Sequence, residues 1–332
     1  MTIKKSFWAT FRGAVLLGSI GFVAPAAAET FPSKTVTIIA PYSAGSPADS
    51  LARRLAEGLA KSLGGPVIVE NVVGAGGIIG TLRAQKAAPD GHTLVIGTQG
   101  TMMMNKFIYK NLRYDPDKDF YPVVNLVDFP NLVVAPASLG VKSLKEFVAL
   151  AKARASSGKP LTYGSGGVGS SAHLAAELLK MRAGIELTHV PYKSVADTLS
   201  DLLSGRIDLI FGNVGVFGPH VEQGTLTGLA VTAPERSPAL PGVSSIAEAG
   251  YPDAEFSVWL GLFAPAKTPE PILEKLRAAA VTAMTTPATK AAFDKEGAGV
   301  RADDKVPFRT FIASDAGKWQ PIVRKLGIEL DN

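Results

Sequence analysis

Five short stretches hold the side chains and amides best suited to chemistry. Pro41-Tyr42-Ser43-Ala44-Gly45-Ser46-Pro47-Ala48-Asp49 joins an apolar run to a stripe of leucines. A loop of that composition at a helix start presents unpartnered N–H groups to an anion. Asp49 would repel a carboxylate, so it caps the helix or meets a ligand's amino group. Thr98-Gln99-Gly100-Thr101 places two hydroxyls and an amide directly after a second apolar run. Gly164-Ser165-Gly166-Gly167-Val168-Gly169 is a formal G-x-G-x-x-G with Glu186 about twenty residues on, and Ser170 and Ser171 add hydroxyls. Gly74-Ala75-Gly76-Gly77-Ile78-Ile79-Gly80 has one residue too many for that fingerprint, and close backbone packing explains it. Asn213, in Gly212-Asn213-Val214-Gly215, can donate to an acid or accept from an amine.

Those stretches suggest binding rather than catalysis. The chain has no cysteine, which excludes thiol nucleophiles, disulfides and thiolate metal sites. The histidines His92, His173, His189 and His220 include no pair at metal-ligand spacing, so neither a metal nor another cofactor is expected. No serine sits in a G-x-S-x-G elbow. His173 on a helix and His189 in a strand read as structural, and Asp197, Asp201 and Asp208 read as caps and solvated groups. The dinucleotide reading of Gly164–Gly169 is weak, because an exported protein rarely meets NAD. The same amides serve a carboxylate.

The elements that must position these loops alternate. Val36–Ala40, Val67–Glu70, Thr93–Gly97, Leu161–Tyr163, Leu187–Val190, Leu209–Phe211 and Leu229–Thr232 read as strands. Leu51, Leu55, Leu59 and Leu63 recur every four residues on one helix, and a second helix is expected near Ile78–Ala88. Ser143 with Glu146 forms a capping box for a helix to about Ala155. Thr268-Pro269 opens a late helix, and Met102, Met103 and Met104 read as core filler. Such alternation implies an α/β fold of parallel sheets covered on both faces, with ligands outside the strands' carboxyl ends.

Two extended runs, Tyr121–Ala135 and Phe256–Ala264, interrupt the pattern and are read as crossings between lobes. Together with a length of 332 residues they give a two-lobed arrangement. Lobe one comprises 29–127 plus 256–332, and lobe two, 128–255, is inserted within it. Residues 1–28 read as a cleavable signal peptide: Lys4, Lys5 and Arg12, an apolar run from Gly13 to Val23, then Ala26-Ala27-Ala28. Cleavage removes three basic and no acidic side chains from a net charge of +5, leaving +2. No basic cluster with interleaved aromatics points to nucleic acid.

In order and spacing these segments resemble the periplasmic receptors of tripartite tricarboxylate transporters, the Bug (TctC-like) family. The carrying stretches include Pro41–Asp49, Val69-Glu70-Asn71 with Gly74–Gly80, Ala88-Pro89-Asp90-Gly91-His92 and Leu161–Ser170. They continue through His189-Val190-Pro191-Tyr192-Lys193, Arg236-Ser237-Pro238-Ala239-Leu240-Pro241 and Gly261–Ala266. The resemblance implies a periplasmic Venus-flytrap fold, type II-like, that closes on a small organic acid and hands it to a membrane permease as a monomer, without enzymatic activity. The acid is left open among mono-, di- and tricarboxylates, aromatic acids and acidic amino acids. By position, Tyr42, Ala44, Ser46, Asp49, Thr98 and Thr101 hold one carboxylate in lobe one. Ser165, Gly166, Val168, Ser170, Tyr192 and Asn213 close over it from lobe two. Ser46-Pro47 departs from the family pattern, where a second glycine is usual. Two alternatives stay open at this point: a sensory receptor that presents the acid to a signalling partner, and an exported hydrolase or isomerase acting in the same cleft.

Overall fold

The computed structural model describes residues 1–2, 31–302 and 306–329. Met1–Thr30 and Phe31–Asn332 are separate units, and the expected signal peptide, save its first two residues, lies outside the described residues. No helix among the described residues is long and apolar enough to cross a membrane.

In chain order the first elements are β1 (Val36–Ala40), α1 (Pro47–Leu63), β2 (Val67–Asn71), α2 (Ile78–Gln85) and β3 (Thr93–Thr98). A π-helical turn, Gly100–Met104, leads into α3 (Asn105–Ile108), then α4 (Pro116–Asp119) and β4 (Phe120–Pro136). Next come α5 (Leu144–Ser156), β5 (Leu161–Ser165), α6 (Ser171–Ala183), β6 (Leu187–Pro191) and α7 (Leu199–Leu203). They are followed by β7 (Leu209–Asn213), α8 (Val214–Glu222) and β8 (Leu226–Val231). The chain closes with β9 (Ser257–Pro265), α9 (Glu270–Met284), α10 (Pro287–Lys295), β10 (Gly299–Val300) and α11 (Phe308–Leu326).

Local chemistry accounts for most boundaries. The leucines of α1 are buried, Ser46 caps its start by accepting from Asp49 N at 3.3 Å, and Gly64 ends it at φ 71°. Ser143 accepts from Glu146 N at 3.2 Å, while the Glu146 carboxylate accepts from Lys142 N, one residue before the cap. Pro269 stands at the N-cap of α9, one position earlier than expected. Helix α2 stops at Gln85, short of Ala88.

The strands order as β2-β1-β3-β9-β4-β7-β5-β6. Pairings among β2, β1 and β3, and among β6, β5 and β7, are parallel. The parallel pattern of the alternating strands gives way in the middle, at the two extended runs: β9 runs antiparallel to β3 and to β4, and β4 antiparallel to β7 and β8. Each long extended run enters its sheet opposite to the strands beside it. Strand β4 pairs with β9 over Phe120–Pro130, then with β7 and β8 over its remaining residues. Register shifts at Pro122/Val124 and Asn125/Val127 let one strand carry both pairings. Beside the changeover, Thr232 Oγ1 accepts from Asn131 N at 2.7 Å and donates to Phe256 O at 2.5 Å, tying the returning chain to β4.

Candidate functional site

A cavity of about 300 Å³ opens where the loops after β1 and β3 face the loop after β5. Tyr42, Ser46, Pro47 and Ala48 form one wall; Thr98, Gln99 and Gly100 form the next. Gly169, Ser171 and Leu174 come from the β5–α6 loop and the first turns of α6. Met104, Asn105, Ile108, Val258 and Leu260 complete the lining.

The β1–α1 loop is held from behind. Asp49, 3% exposed, accepts from Gly45 N and Asn71 Nδ2 at 2.9 Å and from Arg53 Nε at 3.1 Å. The Arg53 hydrogen bond, outweighing burial, brings its carboxyl down to about 2. Asp49 therefore positions the loop and stands outside the cavity lining. Tyr42 Oη lies 3.1 Å from Thr98 Oγ1 and donates to Gly76 O at 3.4 Å. Burial raises this phenol, so it stays protonated as a donor.

The turn after β3 is self-supporting. Thr98 N donates to Thr101 Oγ1 at 3.1 Å, and Thr101 N donates to Thr98 Oγ1 at 3.2 Å. Thr101 is fully buried, and its carbonyl accepts from Tyr114 Oη at 2.6 Å, so its hydroxyl shapes the turn. Gln99 Nε2 and Trp259 Nε1 both donate to Asp315 Oδ2, at 2.9 and 2.8 Å, which fixes how Gln99 meets the cavity.

Behind the β5–α6 loop lies an aromatic stack in which Tyr163 and His173 are buried and His189 partly so. His173 and His189 stack with ring centroids 4.4 Å apart, and Tyr163 covers His189 at 4.8 Å. Ser165 Oγ lies 2.6 Å from His189 Nε2, and Gly169 N donates to His173 Nδ1 at 3.1 Å. Burial lowers both imidazoles, His173 to about 4, so Nδ1 of His173 remains an acceptor at neutral pH. Ser170 caps α6 by accepting from His173 N. Glycine is required at 167 and 169, where φ is +107° and +80°.

Of the residues singled out from sequence, Tyr42, Ser46 and Thr98 line the cavity together. Asp49, Thr101, Ser165 and Ser170 stand behind its loops, while Ala44 and Val168 are exposed on loops beside it and Gly166 is partly buried. Two others are not among its lining residues. Tyr192 Oη donates to Asp201 Oδ2 at 2.8 Å, and Asn213 caps α8 by accepting from Gly215 N at 2.7 Å. The lining also takes Met104, read from sequence as core filler, Val258 and Leu260 from the expected crossing run, and Ile108 and Leu174, which were not expected at a site. The one local signal for them is that Met104 and Ile108 sit one helical turn apart just beyond Thr98–Thr101. Among the described residues no group of three or more His, Asp or Glu side chains is placed to hold a metal.

Hydroxyl- and glycine-rich loops from two parallel strand groups, facing one another beside shared antiparallel strands, give the arrangement of an α/β solute-binding protein. The chain matches the model of the Tripartite tricarboxylate transporter family receptor over residues 51–328 and belongs to that family, one of solute-binding receptors rather than enzymes. It is 32% identical to Protein BugT of Bordetella pertussis, covering 95% of this chain and 96% of that one. Among solved structures it is similar to R. palustris Rpa4515 with adipate, at TM-score 0.74 and 32% identity, covering 91% of this chain and all of the other. It is also similar to MatC from Rhodopseudomonas palustris with bound malate, at TM-score 0.70 and 33% identity, covering 88% of this chain and all of the other.

Proposed function

We propose that this receptor captures a small organic carboxylate in the cavity between two lobes, 29–127 plus 256–332 and 128–255, and delivers it to a tripartite tricarboxylate permease. In this reading the chain is exported by a leader ending near residue 28 and acts as a monomer. The observation that carries the reading is the meeting of two helix starts. The first residues of α1 and the first residue of α6 line one cavity whose lining side chains, among the described residues, bear no charge.

A carboxylate taken into such a cavity must be hydrogen-bonded, directly or through water. The hydroxyls of Ser46, Thr98 and Ser171 and the free first-turn amides of the helices supply neutral donors, Tyr42 Oη adds one when its proton turns from Gly76 O to the ligand, and both helix dipoles favour an anion there. Ala44 and Thr101 contribute through the backbone of their loops, and Gly166 and Val168 through the loop that closes over the ligand. Asp49, Ser165 and Ser170 hold those loops in shape. A ligand that touches both sides favours the closed arrangement by its differential affinity, and closure is what the permease reads. Support for the ligand class comes from the similar structures that hold adipate and malate.

Thermal unfolding against a panel of carboxylic acids tests this. At about 100 times Kd, linkage gives about 2.7 kcal/mol of stabilisation, a rise of several degrees. If no acid raises the Tm of protein shown by mass spectrometry of the denatured sample to be ligand-free, the reading fails.

A further inference from the structure

We infer that the ligand is a carboxylate with a single charge and an apolar body, and that the cavity discriminates against acids carrying a second carboxylate. This deepens the proposed function and rests on it.

The cavity lining falls into two chemical groups. Its polar members are Tyr42, Ser46, Thr98, Ser171 and the amide side chains of Gln99 and Asn105, which already donate to Asp315 and to Tyr114, while Met104, Ile108, Leu174, Val258 and Leu260 supply an aliphatic wall. None of those five side chains can donate a hydrogen bond to a carboxylate. Met104, Ile108, Leu174 and Leu260 are each under 10% exposed, so water reaches that wall poorly. The charge held against Gln99, behind the lining, is negative. Asp315 sits behind Gln99 and Trp259 and accepts from both, so Gln99 Nε2 is turned away from the ligand.

A second carboxylate pressed against this wall loses its hydration and gains no cation. A methyl or methylene group in the same place gains by burial. A volume of about 300 Å³ corresponds to about ten waters at ~30 Å³ each, which accommodates an acid of eight to ten heavy atoms.

Hexanoate and adipate make the sharpest pair, because they differ only in whether the far carbon is a methyl or a carboxylate. Calorimetric titration of the ligand-free protein is expected to give hexanoate, and likewise benzoate, at least tenfold tighter binding than adipate. Adipate binding as tightly as hexanoate overturns the inference. So does binding of malate, citrate or an acidic amino acid with neither hexanoate nor benzoate binding, although the receptor reading then stands. Binding of none of these acids removes the receptor reading as well.

Val258→Lys places a cation at the partly exposed edge of the apolar wall and is expected to shift the hexanoate-to-adipate ratio at least tenfold toward adipate. Ile108→Gln, which adds a polar group to the same wall, serves if the lysine variant does not fold, with a smaller shift in the same direction. A folded variant with an unchanged ratio overturns the placement of the ligand's body.

Discussion

Lowering the pH from 7.5 to 5.0 is expected to destabilise the fold by about 2 kcal/mol through His173 alone. In the unfolded chain this imidazole takes up a proton near its ordinary value of 6.5; in the fold, burial delays that uptake to about pH 4. Between those values the unfolded state binds the proton and the native state does not, so stability falls as the pH drops through the window. At pH 5.0 the unfolded histidine lies 1.5 units below its own pKa, and at 1.36 kcal/mol per unit the loss is about 2 kcal/mol.

The surroundings of His173 support that sign. His189 faces it from β6, Tyr163 from β5, and Glu177 and Lys180 lie on its own helix. Glu177 favours the proton, but its carboxylate is engaged by Tyr163 Oη at 2.7 Å and Lys180 Nζ at 2.6 Å. His189 and Lys180 oppose it, and His189 is itself lowered, so it adds a loss of the same sign. A protonated His173 can no longer accept from Gly169 N, so the loop in the cavity wall loses its anchor and ligand affinity falls with stability.

Thermal unfolding at pH 7.5, 6.5 and 5.0 at constant ionic strength reads this as a Tm drop of about 4 °C for a domain of this size. Most carboxylates are still ionised above pH 5, which isolates the histidines. The drop should shrink in His173→Gln and vanish in the double variant with His189→Gln. A wild-type Tm unchanged between pH 7.5 and 5.0, or an undiminished drop in a folded double variant, would refute the reasoning.

Asp49→Ala removes the acceptor shared by Gly45, Asn71 and Arg53 and is expected to cost about 2 kcal/mol in urea unfolding at pH 7. Because the wild-type carboxyl titrates at about 2 rather than its ordinary 3.8, its contribution is lost as the pH falls through that interval, and the gap between variant and wild type should close there. Gly77→Ala sets a methyl 2.9 Å from Thr101 Cγ2 and 3.1 Å from Tyr42 Oη at a φ of +95°, and should weaken binding of the stabilising acid at least tenfold by calorimetry. Gly76→Ala is the control, since φ is +62° there but nothing lies within 4 Å. It should lose about 1 kcal/mol of stability and keep its affinity.

Comparison of single residues shows where local reading stops. The leucine spacing of α1, the Ser143 cap and the β-branched runs before each loop all specify their elements, because capping and amphipathic burial act within a few residues. The loops that meet at the cavity were legible too, since hydroxyls and glycines at strand ends have few other uses. The direction of each side chain within those loops was not. Ser165 and Thr101 carry the hydroxyls expected of a binding site, yet the fold spends them on His189 and on Thr98. Leu174 and Leu260 belong to the buried core and also line the cavity.

By itself, then, the sequence determined an alternating α/β chain with anion-suited loops, without thiol chemistry or histidine pairs at metal-ligand spacing. These properties follow from residue type and short-range spacing. Tertiary structure decided that β4 and β9 run antiparallel through the middle of the sheet, and that His173 and His189 stack beneath a cavity loop. It also brought aliphatic side chains from α3, α6 and β9 to the cavity beside the helix starts. Each of these depends on contacts between residues far apart in the chain, and such contacts are fixed only when the strands have chosen their partners and each face has found what buries it.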